Sequence, residues 1–169
     1  KEILLNAERD PAFASELLSL PSESEISENI KKYNPEKVFS ARKEIIKTIK
    51  NNLSNEFHLI YKKCLNKTNL AARGWRALHN TCLQYLTIED NLDAQKLVLE
   101  AYKSSNNMTI KLYSLSCISN MKSKDRNTIL LDFYEKYKKQ PIMIEKWFQV
   151  QASAKLKNNL RNIKRLVKS

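Results

Sequence analysis

Gly74-Trp75-Arg76-Ala77-Leu78-His79-Asn80-Thr81-Cys82-Leu83-Gln84-Tyr85-Leu86 is the stretch that decides the fold. Trp75, Leu78, Cys82 and Tyr85 recur every three or four residues, the spacing that lines one face of an α-helix. Ala71 extends the stripe upstream. Gly74 is the only glycine among 169 residues, and the chain holds only four prolines. Glycine supplies the left-handed turns of hairpins and phosphate-cradling loops. A chain with one glycine, placed inside a helix, is therefore all-α. In a bare helix that glycine costs about 1 kcal/mol against alanine, so its place here predicts that a neighbouring helix approaches closely.

The same period runs outward in both directions. Upstream lie Val38, Ala41, Ile45 and Ile49, then Leu53, Phe57, Ile60 and Cys64. Downstream lie Leu97, Val98, Ala101 and Tyr102, then Met108, Leu112, Leu115 and Ile118. Leu130, Phe133, Tyr134 and Tyr137 follow, then Met143, Trp147, Val150 and Ala154, and last Leu156, Leu160, Ile163 and Val167. Helix-start signals fall between the stripes. Asn34-Pro35-Glu36 reads as a cap, a first-turn proline and a first-turn acid. Asp90 opens a helix after the Tyr85-Leu86 end, Asn107 or Thr109 the next, Ser123 or Asp125 another, and Pro141, after Gln140, the penultimate one. Short junctions force successive helices antiparallel. Paired helices then begin near Asn34, Asn69, Asn106 and Gln140, roughly 35 residues apart, within the range of helical-hairpin repeats. The tetratricopeptide and ankyrin signatures are absent. The expected architecture is an irregular armadillo- or HEAT-like superhelix of antiparallel helix pairs, an α-solenoid, over 34–169. Residues 1–33 form an acidic cap segment of the same domain.

Charge is unevenly placed. The net charge is +12, yet residues 1–33 carry a balance of −3, so the remainder carries +15. Nothing after Glu145 is acidic, and Lys155–Lys168 holds six basic residues. Such a tail attracts nucleic acid or an anionic surface. The aromatic residues, however, lie on the apolar stripes rather than among the lysines, which disfavours a nucleic-acid partner. No apolar run approaches the ~18 residues of a membrane span, so no membrane partner is expected. Cys64, Cys82 and Cys117 are odd in number, sit on apolar faces and include no C-x-x-C pair. They read as buried thiols of a reducing, cytoplasmic compartment rather than as metal ligands.

Catalytic groupings are missing from the sequence. Only His58 and His79 are present, on different helices, and no H-E-x-x-H, Gly-rich phosphate loop or G-x-S-x-G occurs. His79 reads as a hydrogen-bonded packing histidine; with Cys82 it offers two ligands, too few for a metal site. The candidate cavity-lining or domain-interface residues are Arg76, Asn80, Gln149 and Gln151, polar side chains set beside apolar stripes. In the competing reading they satisfy loop carbonyls between stacked hairpins.

The opening stretch resembles the G-R-R-A-L-x-N-x-C-L-x-Y-L helix in the C-terminal domain of bacterial-type aminopeptidase N, the zinc alanyl aminopeptidases of the gluzincin clan. Four further blocks fall in that family's order. They are Ala14 to Glu23, Asn34-Pro35-Glu36 with Ala41-Arg42, Asn106-Asn107-Met108-Thr109, and Phe133-Tyr134 with Lys146 to Ala152. Trp75 stands where the family has Arg, and Asn106 where it has Asp. The resemblance implies the C-terminal α-solenoid of a larger enzyme that removes N-terminal residues from peptides. It also implies that the zinc ligands lie in an upstream catalytic domain, which is this chain's partner, and that no cofactor binds here. On this reading the chain, which starts at Lys1, is a fragment with no catalysis of its own, and peptide substrate meets it through the parent. The alternative from another class is a stand-alone helical-repeat module binding protein or nucleic acid, with steeply salt-dependent affinity.

Overall fold

The computed structural model describes residues 1–67 and 73–167. The predicted repeat start at Asn69, the stripe residue Ala71 and the last basic residue, Lys168, lie outside the described residues. All regular structure described is helical. The helices are α1 (Glu2–Leu5), α2 (Pro11–Leu17), α3 (Glu23–Glu28), α4 (Pro35–Lys67), α5 (Arg73–Leu86), α6 (Leu92–Ser104), α7 (Met108–Ser119), α8 (Arg126–Tyr137), α9 (Pro141–Ala152) and α10 (Asn159–Leu166). They divide into two compact units, Lys1–Glu89 and Asp90–Ser169.

In the first unit α5 lies against both α4 and α2. Of its stripe, Leu78, Cys82 and Tyr85 are buried, as are Leu83 and the α4 residues Phe57, Ile60 and Cys64, while Trp75 is half-buried. The Tyr85 and Phe57 rings stack with centroids 4.4 Å apart and planes 14° from parallel. Three contacts hold α2 on the other side. Tyr85 OH donates to Leu18 O at 2.7 Å, the Ser15 and Thr81 hydroxyls pair at 2.9 Å, and Gly74 faces Ala12. A methyl group on Gly74 would sit 2.9 Å from Ala12 N and 3.2 Å from Ala12 Cβ. The missing side chain is what admits α2, as the lone glycine predicts. The acidic segment is also tied down by ion pairs of Lys1 with Glu56 and of Lys63 with Glu8.

Helix α4 is two helical segments joined at Leu53, whose φ of −130° and ψ of 24° leave the helical region. The break falls in Asn51-Asn52-Leu53-Ser54-Asn55, residues whose side chains compete for backbone groups. Asn52 does so, donating to Thr48 O at 2.9 Å. Upstream of the break the predicted stripe needs correction: Ala41 and Ile45 are exposed, and Ile46 is the buried residue. The short α3 packs on α4, and Lys47 and Lys50 of this half pair with Glu89 beyond α5.

The second unit joins α6 with α7, α7 and α8 with α9, and α9 with α10. Val98, Ala101, Leu115, Ile118, Leu130 and Phe133 form its core. Asn91, rather than Asp90, caps α6, accepting from Ala94 N at 2.9 Å. Asp90 accepts instead from Gln95 Nε2 and from Lys122 N, both at 2.7 Å. Asn107 caps α7 and Pro141 opens α9, as read. At α8 the cap position is Asp125, whose side chain makes no cap bond, while Ser123 Oγ accepts from Asp125 N. The last stripe is only partly buried: Leu160 and Val167 are 66% and 82% exposed, and among the described residues α10 packs on α9 alone.

Replacing Gly74 by alanine tests the close approach. Helix propensity alone favours the change by about 1 kcal/mol, but overpacking against backbone costs about 1–3 kcal/mol. The expected outcome is a net loss of stability in urea denaturation; a gain would show that α2 yields without cost.

Candidate functional site

Arg76 and Asn80 sit one helical turn apart on α5, in the first unit, and both are half-buried. Between them in sequence His79 is buried to 1% exposure, its ring 4.8 Å from that of Tyr61. Its Nδ1 lies 3.1 Å from Asn80 Oδ1, an acceptor that selects the tautomer with the proton on Nδ1. Burial holds the His79 pKa below its ordinary value, with the Asn80 contact opposing in part. His79 is thus a neutral packing histidine, and Asn80 is engaged in orienting it. His58 is exposed on α4.

Gln149 and Gln151 sit on α9, in the second unit, two residues apart and therefore on different faces. Gln149 is exposed, and its side-chain oxygen accepts from Lys146 Nζ at 3.1 Å. Gln151 is buried, its Nε2 donating to Trp147 O at 3.3 Å. Beside it Asn159 Nδ2 donates to Gln151 O and Ala152 O, each at 3.0 Å, closing the carbonyl end of α9. Trp147 Nε1 donates to Leu130 O at 2.7 Å and fastens α9 to α8.

The residues missed in the sequence are the ones that knit α6, α7 and α8. Lys111 is 7% exposed; its ammonium donates to Tyr102 O at 2.9 Å, near the end of α6, and lies 4.6 Å from the Tyr102 ring centroid. Tyr102 OH in turn donates to Asp132 Oδ2 at 2.8 Å. Desolvation first, then Lys136, hold the Lys111 pKa below the usual lysine range, and Asp132 opposes them. A lysine inside Met108-Thr109-Ile110-Lys111-Leu112 was the available signal.

Thiol chemistry is suppressed. Burial raises the Cys64 pKa to about 12 and raises that of Cys82 as well, Cys64 adding to the second shift. Among the described residues no three His, Cys, Asp or Glu side chains gather to hold a metal. The donor set zinc requires is therefore not offered by them, and no catalytic step is assigned through a metal in this chain. Among the same residues no helix is long and apolar enough to cross a membrane.

Residues 1–169 as a whole match the family described as a domain of unknown function (DUF3458_C) with ARM repeats, and the chain belongs to that family. Its all-α, armadillo-like α-solenoid class follows. Across 99% of its length the chain is 27% identical to aminopeptidase N of Escherichia coli. Across 98% it is 31% identical to aminopeptidase N of Haemophilus influenzae. The resemblance drawn from Gly74–Leu86 and its companion blocks is borne out by both. The chain spans only about a fifth of these relatives, 20% and 19% of their lengths. A crystal structure of Legionella pneumophila aminopeptidase A in complex with aspartic acid matches with a TM-score of 0.86. The match covers 99% of this chain and 21% of that one, at 22% identity, and shows the shared fold.

Two outcomes check the buried polar groups. His79 has a lowered folded pKa, so as pH falls the unfolded chain takes up its proton first. Its stabilisation is complete above the ordinary value of 6.5 and is lost as pH drops from there toward the lowered value. The melting temperature of the wild type should fall more between about pH 7.5 and about pH 5.5 than that of His79→Gln; equal falls would assign the acid sensitivity elsewhere. For the buried ammonium, Lys111→Met should lie within about 1 kcal/mol of wild type in chemical denaturation, whereas Lys111→Ala, which leaves a void, should lose about 2 kcal/mol or more.

Proposed function

We propose that this chain is the helical domain of a zinc metallo-aminopeptidase that releases N-terminal amino acids from peptides. It packs on the catalytic part of the same polypeptide and narrows the route by which peptides reach that part. The single observation that carries this reading is the alignment of nearly the whole chain with a fifth of two aminopeptidase N proteins. A match of that shape is what a domain makes with its parent. The hydrolytic chemistry, polarisation of the scissile carbonyl and activation of water, belongs to zinc held elsewhere in the polypeptide. What this chain contributes is surface and rigidity.

Several features support the reading. Phe13 and Leu17, one turn apart on α2, are 60% and 49% exposed although Ala14, Ser15 and Leu18 of the same segment are buried. An apolar outward face on an otherwise acidic segment suits burial against further protein. Arg76 and Asn80 on α5, and Gln149 on α9, supply polar side chains for a peptide backbone or for an interface. Three free cysteines, two of them buried, suit a reducing, cytoplasmic compartment.

Two assays test the proposal. Supplied with zinc, the chain alone should not hydrolyse alanyl-p-nitroanilide; zinc-dependent turnover would sink the assignment of chemistry to another part. In the full-length enzyme, Phe13→Asp with Leu17→Asp should loosen the packing of this domain. The ratio of kcat/KM on an unfolded polypeptide to kcat/KM on the anilide should then rise several-fold. An unchanged ratio in a folded double variant would remove the access role.

A further inference from the structure

Helix α4 is held differently on the two sides of Leu53. Downstream, Phe57, Ile60, Tyr61 and Cys64 are each 4% exposed or less. Upstream, Val38, Arg42, Ile46 and Ile49 recur at the spacing that shares one helix face. Of these Ile46 alone is buried; the other three are half-buried. Helix α3 packs on α4 and buries none of its own residues. Between the halves, the non-helical backbone at Leu53 interrupts the rod, so the two need not move together.

The upstream face also carries a polar defect. Arg42 Nη1 is shut off from solvent and has no hydrogen-bond partner. A buried donor left unpaired works against the packing that buries it, and water would relieve it. What ties this half down is Glu89, three residues beyond the end of α5. Its Oε2 accepts from Lys50 Nζ at 2.8 Å, and its Oε1 lies 3.3 Å from Lys47 Nζ. Hydrogen bonding from Lys50, then from Lys47, holds the Glu89 carboxyl below the usual carboxylate range. All three side chains are partly exposed, so the pairs are weak and screened by salt.

We propose that the upstream half of α4, residues 35–52, is a latched arm that turns on Leu53 and is held shut by Glu89. Shut, the arm covers Ile46 and strands Arg42 Nη1; open, it wets both. The two contributions oppose each other, and the ion pairs that decide between them sit where solvent reaches. Local opening of this kind belongs to segments with few buried apolar contacts. Phe57, Ile60 and Cys64 stay buried throughout, so the arm opens without unfolding the unit. The motion does not depend on any contact with a catalytic part.

Alkylation of the chain by iodoacetamide, read site by site by mass spectrometry, tests the arm. Ile46→Cys puts a thiol on the covered face. The buried Cys64 reports opening of the core in the same molecule, and its rate in the wild-type chain marks an intact core. The introduced thiol should react at least about tenfold faster than Cys64, the difference between local and global opening. Adding Glu89→Gln should speed the introduced thiol about threefold, the scale of a part-exposed ion pair, and leave Cys64 unchanged. Glu135→Gln, which removes the ion pair with Lys138 in the other unit, should alter neither rate. Equal rates at the two thiols would overturn the arm. So would a Glu89→Gln effect shared by Cys64, or none at all.

Discussion

At Gly74, α5 and α2 approach so closely that a methyl group would meet backbone, and the rest of the first unit depends on that approach. It brings Leu18 O within reach of the Tyr85 hydroxyl, and Ser15 within reach of Thr81. Tyr85 then does two things at once, stacking on Phe57 of α4 and holding the end of α2 through its hydroxyl. A buried tyrosine needs a partner for its O–H, and here the partner is a carbonyl left over where α2 ends. Burial and hydrogen bonding therefore stabilise the same geometry.

The second unit solves its packing differently. It has no glycine contact, and its helices are joined by polar side chains that reach backbone carbonyls. Lys111 serves the end of α6, Arg126 that of α7, Trp147 the Leu130 carbonyl of α8, and Asn159 the end of α9. Helix ends leave carbonyls unsatisfied, and buried ends need donors. With no glycine to form a left-handed cap, long side chains from neighbouring helices take over. The scarcity of glycine thus shapes how helices end, as well as which folds are excluded.

These arrangements bear on what the domain does. Histidine, cysteine and glutamine side chains that look chemically promising in isolation are used for packing: His79 on Tyr61 and Asn80, the two α4–α5 thiols in the core, Gln151 on its own helix. What faces outward is apolar on α2 and basic on α10. The family is one of ARM-repeat domains, and the relatives it matches are several times longer than this chain.

Helix content, the stripes of α5 to α8 and the family were legible in the sequence, because apolar period and capping chemistry are local properties. Asn34, Asn107 and Pro141 could be placed from neighbouring residues alone, and Gly74 could be read as a close contact, since a helical glycine needs a reason. Tertiary structure alone decided the rest. It turned Ile46 inward in place of Ile45. It joined the stripe ending at Ile49 and the stripe beginning at Leu53 into the single kinked helix α4. It named Ala12 as the neighbour of Gly74, and it brought Lys111 to Asp132's partner Tyr102 and Arg126 to the carbonyl of Ser119. Periodicity shows that a face will be covered; which residue covers it, and which carbonyl a long side chain reaches, depends on segments far apart in the chain.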